Sequence, residues 1–138
     1  MVFVGELFPE VLVREIANAE VKGKVSLGEY ASLLRQSGIG LSLMISPHPS
    51  YPPLEMAYAG CVTVTNTFEA KNLGLRSDNI ISIDSVNPET VAEALCEALM
   101  TFEAEPDRSL SPIESVPSAI PPYDAEQVLK ALMGDAGV

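Results

Sequence analysis

Residues 39–65 restrict the kind of sheet this chain can build. Ile39-Gly40-Leu41-Ser42-Leu43-Met44-Ile45 is almost continuously apolar. A strand without a polar face needs cover on both sides, which is the situation of strands in parallel sheets. The chain then passes through Ser46-Pro47-His48-Pro49-Ser50-Tyr51-Pro52-Pro53 and into a short helix expected from about residue 53 to 59, with a carboxylate, Glu55, in its first turn. Proline suits a first helical turn because the amide it lacks would be unpaired there anyway. Gly60 ends the helix, and Val62-Thr63-Val64-Thr65, β-branched at every position, reads as the next strand. A strand, a stiff turn, a helix and a second strand in this order form a βαβ unit.

The flanking sequence extends the same alternation. Val2-Phe3-Val4 before Gly5 reads as a short buried strand. Residues 9–20 are weakly helical, and 22–25 read as a short strand. Ser26 with Glu29 three residues on is a capping box. Leu27, Tyr30, Ala31 and Leu34 then keep the spacing of one helical face, ending at Gly38. Residues 80–83 read as a strand. Asn87 and Pro88 open a helix whose expected buried stripe is Val91, Ala94, Leu95, Ala98 and Leu99. Residues 103–123 are rich in proline, serine and acids and read as a crossing segment. Asp124 caps a last short helix with Val128, Leu129, Leu132 and Met133 on one side. The expected fold is α/β: a Rossmann-like, doubly wound parallel sheet over residues 1–102, plus a crossing segment and C-terminal helix over 103–138.

Composition narrows the function. A net charge of −11 disfavours a nucleic-acid or anionic-membrane surface. His48 is the only histidine, so neither a zinc cluster nor a serine–histidine triad has support, and no metal is expected. Cys61 and Cys96 lack metal-type spacing and are expected in the core of a reduced, cytoplasmic protein. No stretch reaches the roughly 20 apolar residues of a spanning helix.

Ligands of open α/β sheets bind outside the carboxyl ends of the strands. The loops after Ile45 and Thr65 are expected at that edge. Pro47, Pro49, Pro52 and Pro53 stiffen the first loop, so little ordering entropy is lost on binding. Amides near Tyr51, Leu54 and Glu55 can face an anion at the helix start, where the dipole helps. A carboxylate there suits vicinal sugar hydroxyls, because both its oxygens accept. Complementing the helix dipole is an equally simple role for Glu55. His48 and Tyr51 have plain loop-packing readings, and Lys71 reads equally as a solvated lysine or a cation near a diphosphate.

The runs Gly23-Lys24-Val25-Ser26-Leu27, Glu29-Tyr30-Ala31, residues 41–46, 52–60 and 62–66 resemble, in order and spacing, the nucleotide-binding C-terminal domain of GT-B glycosyltransferases of family 4. The loop Ser-Pro-His-Pro-Ser-Tyr-Pro-Pro-Leu-Glu-Met-Ala resembles, more narrowly, bacterial rhamnosyltransferases of surface glycans. The resemblance implies transfer of a sugar from a nucleotide-sugar to a hydroxyl of a glycan acceptor, without an obligatory cofactor or metal. By position, Glu55 matches the glutamate that holds the donor's ribose hydroxyls. The family's first glutamate falls on Pro47. Ser50, Tyr51, Pro52, Pro53 and Leu54, with His48 beside them, match the loop over the diphosphate and sugar. Thr65, Asn66 and Lys71 fall near the donor.

The same resemblance implies a missing N-terminal acceptor domain or second chain. The chain is therefore expected to be a fragment, split subunit or truncated product, inactive alone, and cytoplasmic or held at the inner membrane through a partner. The last helix, lacking its usual neighbour, predicts self-association or dependence on another chain. No general base stands out. The reading from another class is a non-catalytic module that binds a nucleotide-sugar or docks on a second polypeptide. A flavodoxin-like regulatory domain lacks its acidic or Ser/Thr/Gly-rich strand ends.

Overall fold

The computed structural model describes residues 1–5, 13–45, 51–69 and 71–106. The strands are β1 (Val2–Val4), β2 (Glu20–Lys22), β3 (Ile39–Ser42), β4 (Val62–Asn66) and β5 (Ile80–Ile83). The helices are α1 (Leu27–Arg35), α2 (Tyr51–Tyr58) and α3 (Pro88–Ala104), with a short 3-10 turn at Leu73–Leu75. Every strand pair is parallel, and the fold is Rossmann-like α/β. Among the described residues, however, the strands form two sheets, β1-β2 and β3-β4-β5, where one was expected.

Alternation along β4 sorts the two faces of the larger sheet. Val62 and Val64 point to one side and pack with Ile83 against Ala94 and Ala98 of α3. Thr63 and Thr65 point to the other, where Leu54 and Ala57 of α2 pack with Leu73 and Ile80. The α3 face is thus branched and apolar. The register places Gly40, Ser42, Thr63, Thr65, Ile80 and Ser82 together on the α2 face. That face is mostly small or hydroxylated, so a helix can approach closely. The buried hydroxyls are paired: Thr63 Oγ1 donates to the Cys61 carbonyl at 3.2 Å and Thr65 Oγ1 to the Ser42 carbonyl at 2.7 Å. Such pairing is what makes burying them tolerable.

The caps form where the residues demanded them. Ser26 Oγ accepts from the Glu29 amide, and the Glu29 carboxylate accepts from the Ser26 amide, closing the capping box. Asn87 Oδ1 accepts from the Thr90 amide at 2.8 Å, with Pro88 first in α3. Gly60, at φ +93°, lets α2 end with the Cys61 amide donating to Met56 and the Gly60 amide to Ala57. A side chain would resist that left-handed turn.

Several expectations need correction. The strand expected at 22–25 lies at Glu20–Lys22, because Glu20 donates its amide to Met1 O and registers the segment beside β1. Val13 is helical as expected, but residues 14–19 form turns closed by Ile16→Val13 and Ala19→Ile16 amide–carbonyl bonds. The rest of that expected helix lies outside the described residues. Val2 and Val4 are exposed; among the described residues β1 has only β2 beside it. β3 stops at Ser42, and Leu41 is partly exposed, because β3 is an edge strand of its sheet. The strand covered on both faces is β4, buried along its whole length.

In α3 the inward stripe is Val91, Ala94, Leu95, Ala98 and Phe102. Leu99 is exposed, as is Cys96. Cys61 is buried as expected; its thiol donates to Ser37 O at 3.1 Å, and burial pushes its pKa up to about 11. The helix expected at 124–134 and nearly all of the crossing segment lie outside the described residues. Among the described residues, no helix is long and apolar enough to cross a membrane.

Candidate functional site at the carboxyl edge of the larger sheet

The carboxyl ends of β3 and β4 are locked together by one side chain. Asn66 is the last residue of β4 and nearly buried. Its Oδ1 accepts from the Met44 amide at 2.6 Å, and its Nδ2 donates to the Met44 carbonyl at 2.7 Å and the Thr67 carbonyl at 2.9 Å. A primary amide can mimic a backbone partner in this way, with donor and acceptor side by side. It holds residues 43–45 where no strand partner does. Thr65 makes a second tie through Ser42, one pair earlier in the register.

The chain returns to this edge after β4. Phe68 and Lys71 exchange amide–carbonyl bonds at 3.1 and 2.9 Å, around Glu69 at φ +51°. This tight turn places Lys71 Nζ 3.5 Å from Met44 Sδ. Partial burial lowers the lysine's pKa from its ordinary value. Thr67 Oγ1 donates to Asp84 Oδ1 at 2.9 Å just past β5. Asn66, Lys71 and the exit of β3 are therefore brought together as expected. Thr67 and Asp84, not singled out in the sequence, join the same edge.

Helix α2 starts two residues earlier than expected, at Tyr51. Tyr51 and Pro52 are on its exposed side, whereas Pro53 and Leu54 are buried against the sheet. The early start alters the chemistry of the helix end. Pro52 and Pro53 occupy its second and third positions and have no N–H to offer an anion. Glu55 is the fifth helical residue, so its own amide belongs to the intrahelical ladder and its carboxylate is not in the first turn, contrary to expectation. His48 and Ser50 lie outside the described residues, as does Pro47.

One turn into α2, the half-buried Glu55 carboxylate lies beside the Tyr30 hydroxyl of α1. Burial raises the Glu55 pKa, and the tyrosine hydroxyl partly opposes that rise. Burial also raises the Tyr30 pKa, reinforced by the neighbouring carboxylate. The Tyr30 oxygen is inaccessible to water, yet no partner meets hydrogen-bond distance and angle. The two groups are thus close enough to affect each other's ionisation without a well-aligned bond. Tyr30 fits the apolar stripe of α1 by its ring, and that spacing hid its hydroxyl. The available signal was chemical: a tyrosine on a buried stripe needs a partner for its oxygen.

The described residues bring no three His, Cys, Asp or Glu side chains together as a metal site would require. Among the described residues this part of the fold offers the Glu55 and Asp84 carboxylates, the Lys71 cation and a rigid exit from β3. Such a set suits a polyhydroxylated, negatively charged ligand.

A family model described as WsaF, C-terminal domain, matches residues 1–96, the greater part of the chain. A search of curated proteins finds no match.

Proposed function

The chain belongs to the WsaF C-terminal domain family, a glycosyltransferase-associated domain, and we propose that it binds the nucleotide-sugar donor of a glycosyl transfer at the carboxyl edge of β3 and β4. The parent activity in this reading is that of a GT-B enzyme of family 4. Rhamnose is the sugar favoured by the likeness of residues 46–57 to rhamnosyltransferase loops. The observation that carries the proposal is the position of Glu55: half-buried, one turn into a helix that follows the edge of a parallel sheet.

Each group has a role. Glu55, once ionised, accepts hydrogen bonds from sugar hydroxyls. Tyr51 and Pro52 present a stiff surface to the donor, with Ser50 and His48 preceding them. Pro53 and Leu54 fix the helix to the sheet. Thr65 and Asn66 act through the backbone, holding the exit of β3, and Lys71 offsets diphosphate charge. The chemistry needs no metal if cations and helix ends stabilise the leaving diphosphate. A facing acceptor domain, covalent or separate, would supply the glycan hydroxyl.

A second reading is favoured by Pro47 in place of the resembled first glutamate and by the two prolines that silence the start of α2. In it the domain holds a nucleotide-sugar but takes no catalytic part without a partner. Calorimetric titration of the full chain with uridine, thymidine and guanosine diphosphates tests the donor site. Binding by at least one is expected, weakened about 10- to 100-fold by Glu55→Ala, as for a lost hydrogen bond to a charged group. A folded chain that binds none of them refutes the donor-site reading. Sugar transfer by the chain alone refutes the second.

A further inference from the structure

We propose that Tyr30 is a positioning residue for Glu55: its buried hydroxyl donates to the carboxylate when a ligand is bound, fixing which oxygen faces the ligand's hydroxyls. The inference rests on the donor-site reading of Glu55 and names a residue on a different helix that completes it.

Three observations carry it. The Tyr30 oxygen is shut off from water and lacks an aligned partner. A phenylalanine would fill the same place on the α1 stripe without that cost, so the hydroxyl needs a reason to be there. The Glu55 carboxylate is the acceptor beside it. No charged group on the sheet face under α2 competes for it. The sheet face under α2 carries Gly40, Ser42, Thr63 and Thr65, none of them acidic or basic. The Cys61 thiol, which acts on Tyr30 more weakly than Glu55 does, stays protonated, with its pKa pushed up to about 11. The side chain that acts on the Glu55 carboxylate is thus the Tyr30 hydroxyl.

The pairing sets a direction for binding. Burial favours the protonated form of Glu55, and a protonated carboxyl accepts poorly from sugar hydroxyls. The Tyr30 hydroxyl favours the ionised form. A carboxylate with one oxygen engaged by Tyr30 turns its remaining lone pairs toward the ligand. Ligand hydroxyls then stabilise the charge further, and the Tyr30 bond shortens into a charge-assisted one.

The test is Tyr30→Phe in the full chain, titrated with the nucleoside diphosphate that binds the wild type, across pH 4–8. Wild-type affinity should fall as pH drops through the Glu55 pKa, which burial holds above the ordinary carboxylate value. Tyr30→Phe should weaken binding about tenfold at neutral pH. It should also move the pH of that fall upward, because the one influence lowering the Glu55 pKa is gone. A purely structural tyrosine would leave that pH unmoved. Unchanged affinity and an unchanged pH midpoint in Tyr30→Phe, with Glu55→Ala still damaging, overturn this inference alone. No effect from Glu55→Ala removes the donor-site reading itself.

If Tyr30→Phe does not fold, the wild type decides. The Tyr30 ring carbon bearing oxygen should shift when Glu55 titrates, and again when nucleotide is added. A resonance unmoved in both titrations overturns the proposal.

Discussion

Asn66→Ala is expected to lower the free energy of unfolding by about 2–3 kcal/mol and to weaken nucleotide binding in the same protein. The substitution deletes both faces of an amide that pairs with the Met44 N–H and C=O, and a further bond to Thr67. Met44 lies past the end of β3, so no strand ladder can take over its backbone groups. An orphaned buried polar group costs about 1–3 kcal/mol. Met44 is only half-buried, so water recovers part of that, which keeps the expectation below the sum. Residues 43–45 would lose their register. Chemical denaturation should show a lower midpoint with an unchanged slope, the mark of a stability change without a change in the surface exposed. A midpoint equal to wild type would mean that the Asn66 bonds do not hold the exit of β3.

Gly40→Val is expected to cost about 3 kcal/mol, and more if α2 cannot shift. A Cβ at position 40 would lie 2.6 Å from Met56 Sδ, 3.2 Å from its Cγ and 3.3 Å from its Cβ. The sulfur end can rotate away, so Gly40→Ala should be much milder. Valine adds two more carbons against the Met56 stem, which has nowhere to go without moving the helix. Glu55 immediately precedes Met56, so a displaced α2 also displaces the carboxylate. The account predicts that Met56→Ala restores part of the stability lost in Gly40→Val, a coupling a double-mutant cycle would measure. Strict additivity of the two changes would show that they do not meet.

Much of this architecture is visible in the residues because local chemistry and tertiary packing agree there. Ser26 with Glu29, and Asn87 with Pro88, leave the helix starts little choice. Residues 80–83 form β5 as expected, and the β-branched run from Val62 forms the central strand. The departures occur where partners decide. β2 is set by its pairing with β1, which shifts it two residues from where its own pattern puts it. The apolar run 39–45 looks like a long strand, but β4 offers pairing only as far as Ser42. Beyond it the Asn66 side chain replaces a strand. The turn at Leu73–Leu75 has no periodicity to reveal it; Asn72, accepting from the Gly74 amide at 3.1 Å, shapes it. Leu99 satisfied a helical spacing, yet the sheet meets α3 along a line that reaches Phe102 instead.

Part of the geometry at this edge was legible. Residues 43–45 and the turn after β4 converge on one edge, and Asn66 and Lys71 meet there through Met44. The start of α2 was not legible, because proline is tolerated through a first helical turn, so Pro52 and Pro53 do not say which residue opens it. Counting from Tyr51 moves Glu55 out of the dipole-dominated turn and next to Tyr30. Its raised pKa then comes from burial, and dipole complementation no longer explains the residue.

The proposed function requires a nucleoside diphosphate to bind at the carboxyl edge beside α2. Amide chemical shifts of the full chain, followed residue by residue as uridine, thymidine or guanosine diphosphate is added, test it most directly. The account predicts saturable shifts clustered at Tyr51, Leu54, Glu55, Asn66 and Lys71, with the exposed side of α3 around Cys96 and Met100 unmoved. Shifts centred elsewhere, or none in a folded sample at millimolar nucleotide, would contradict it.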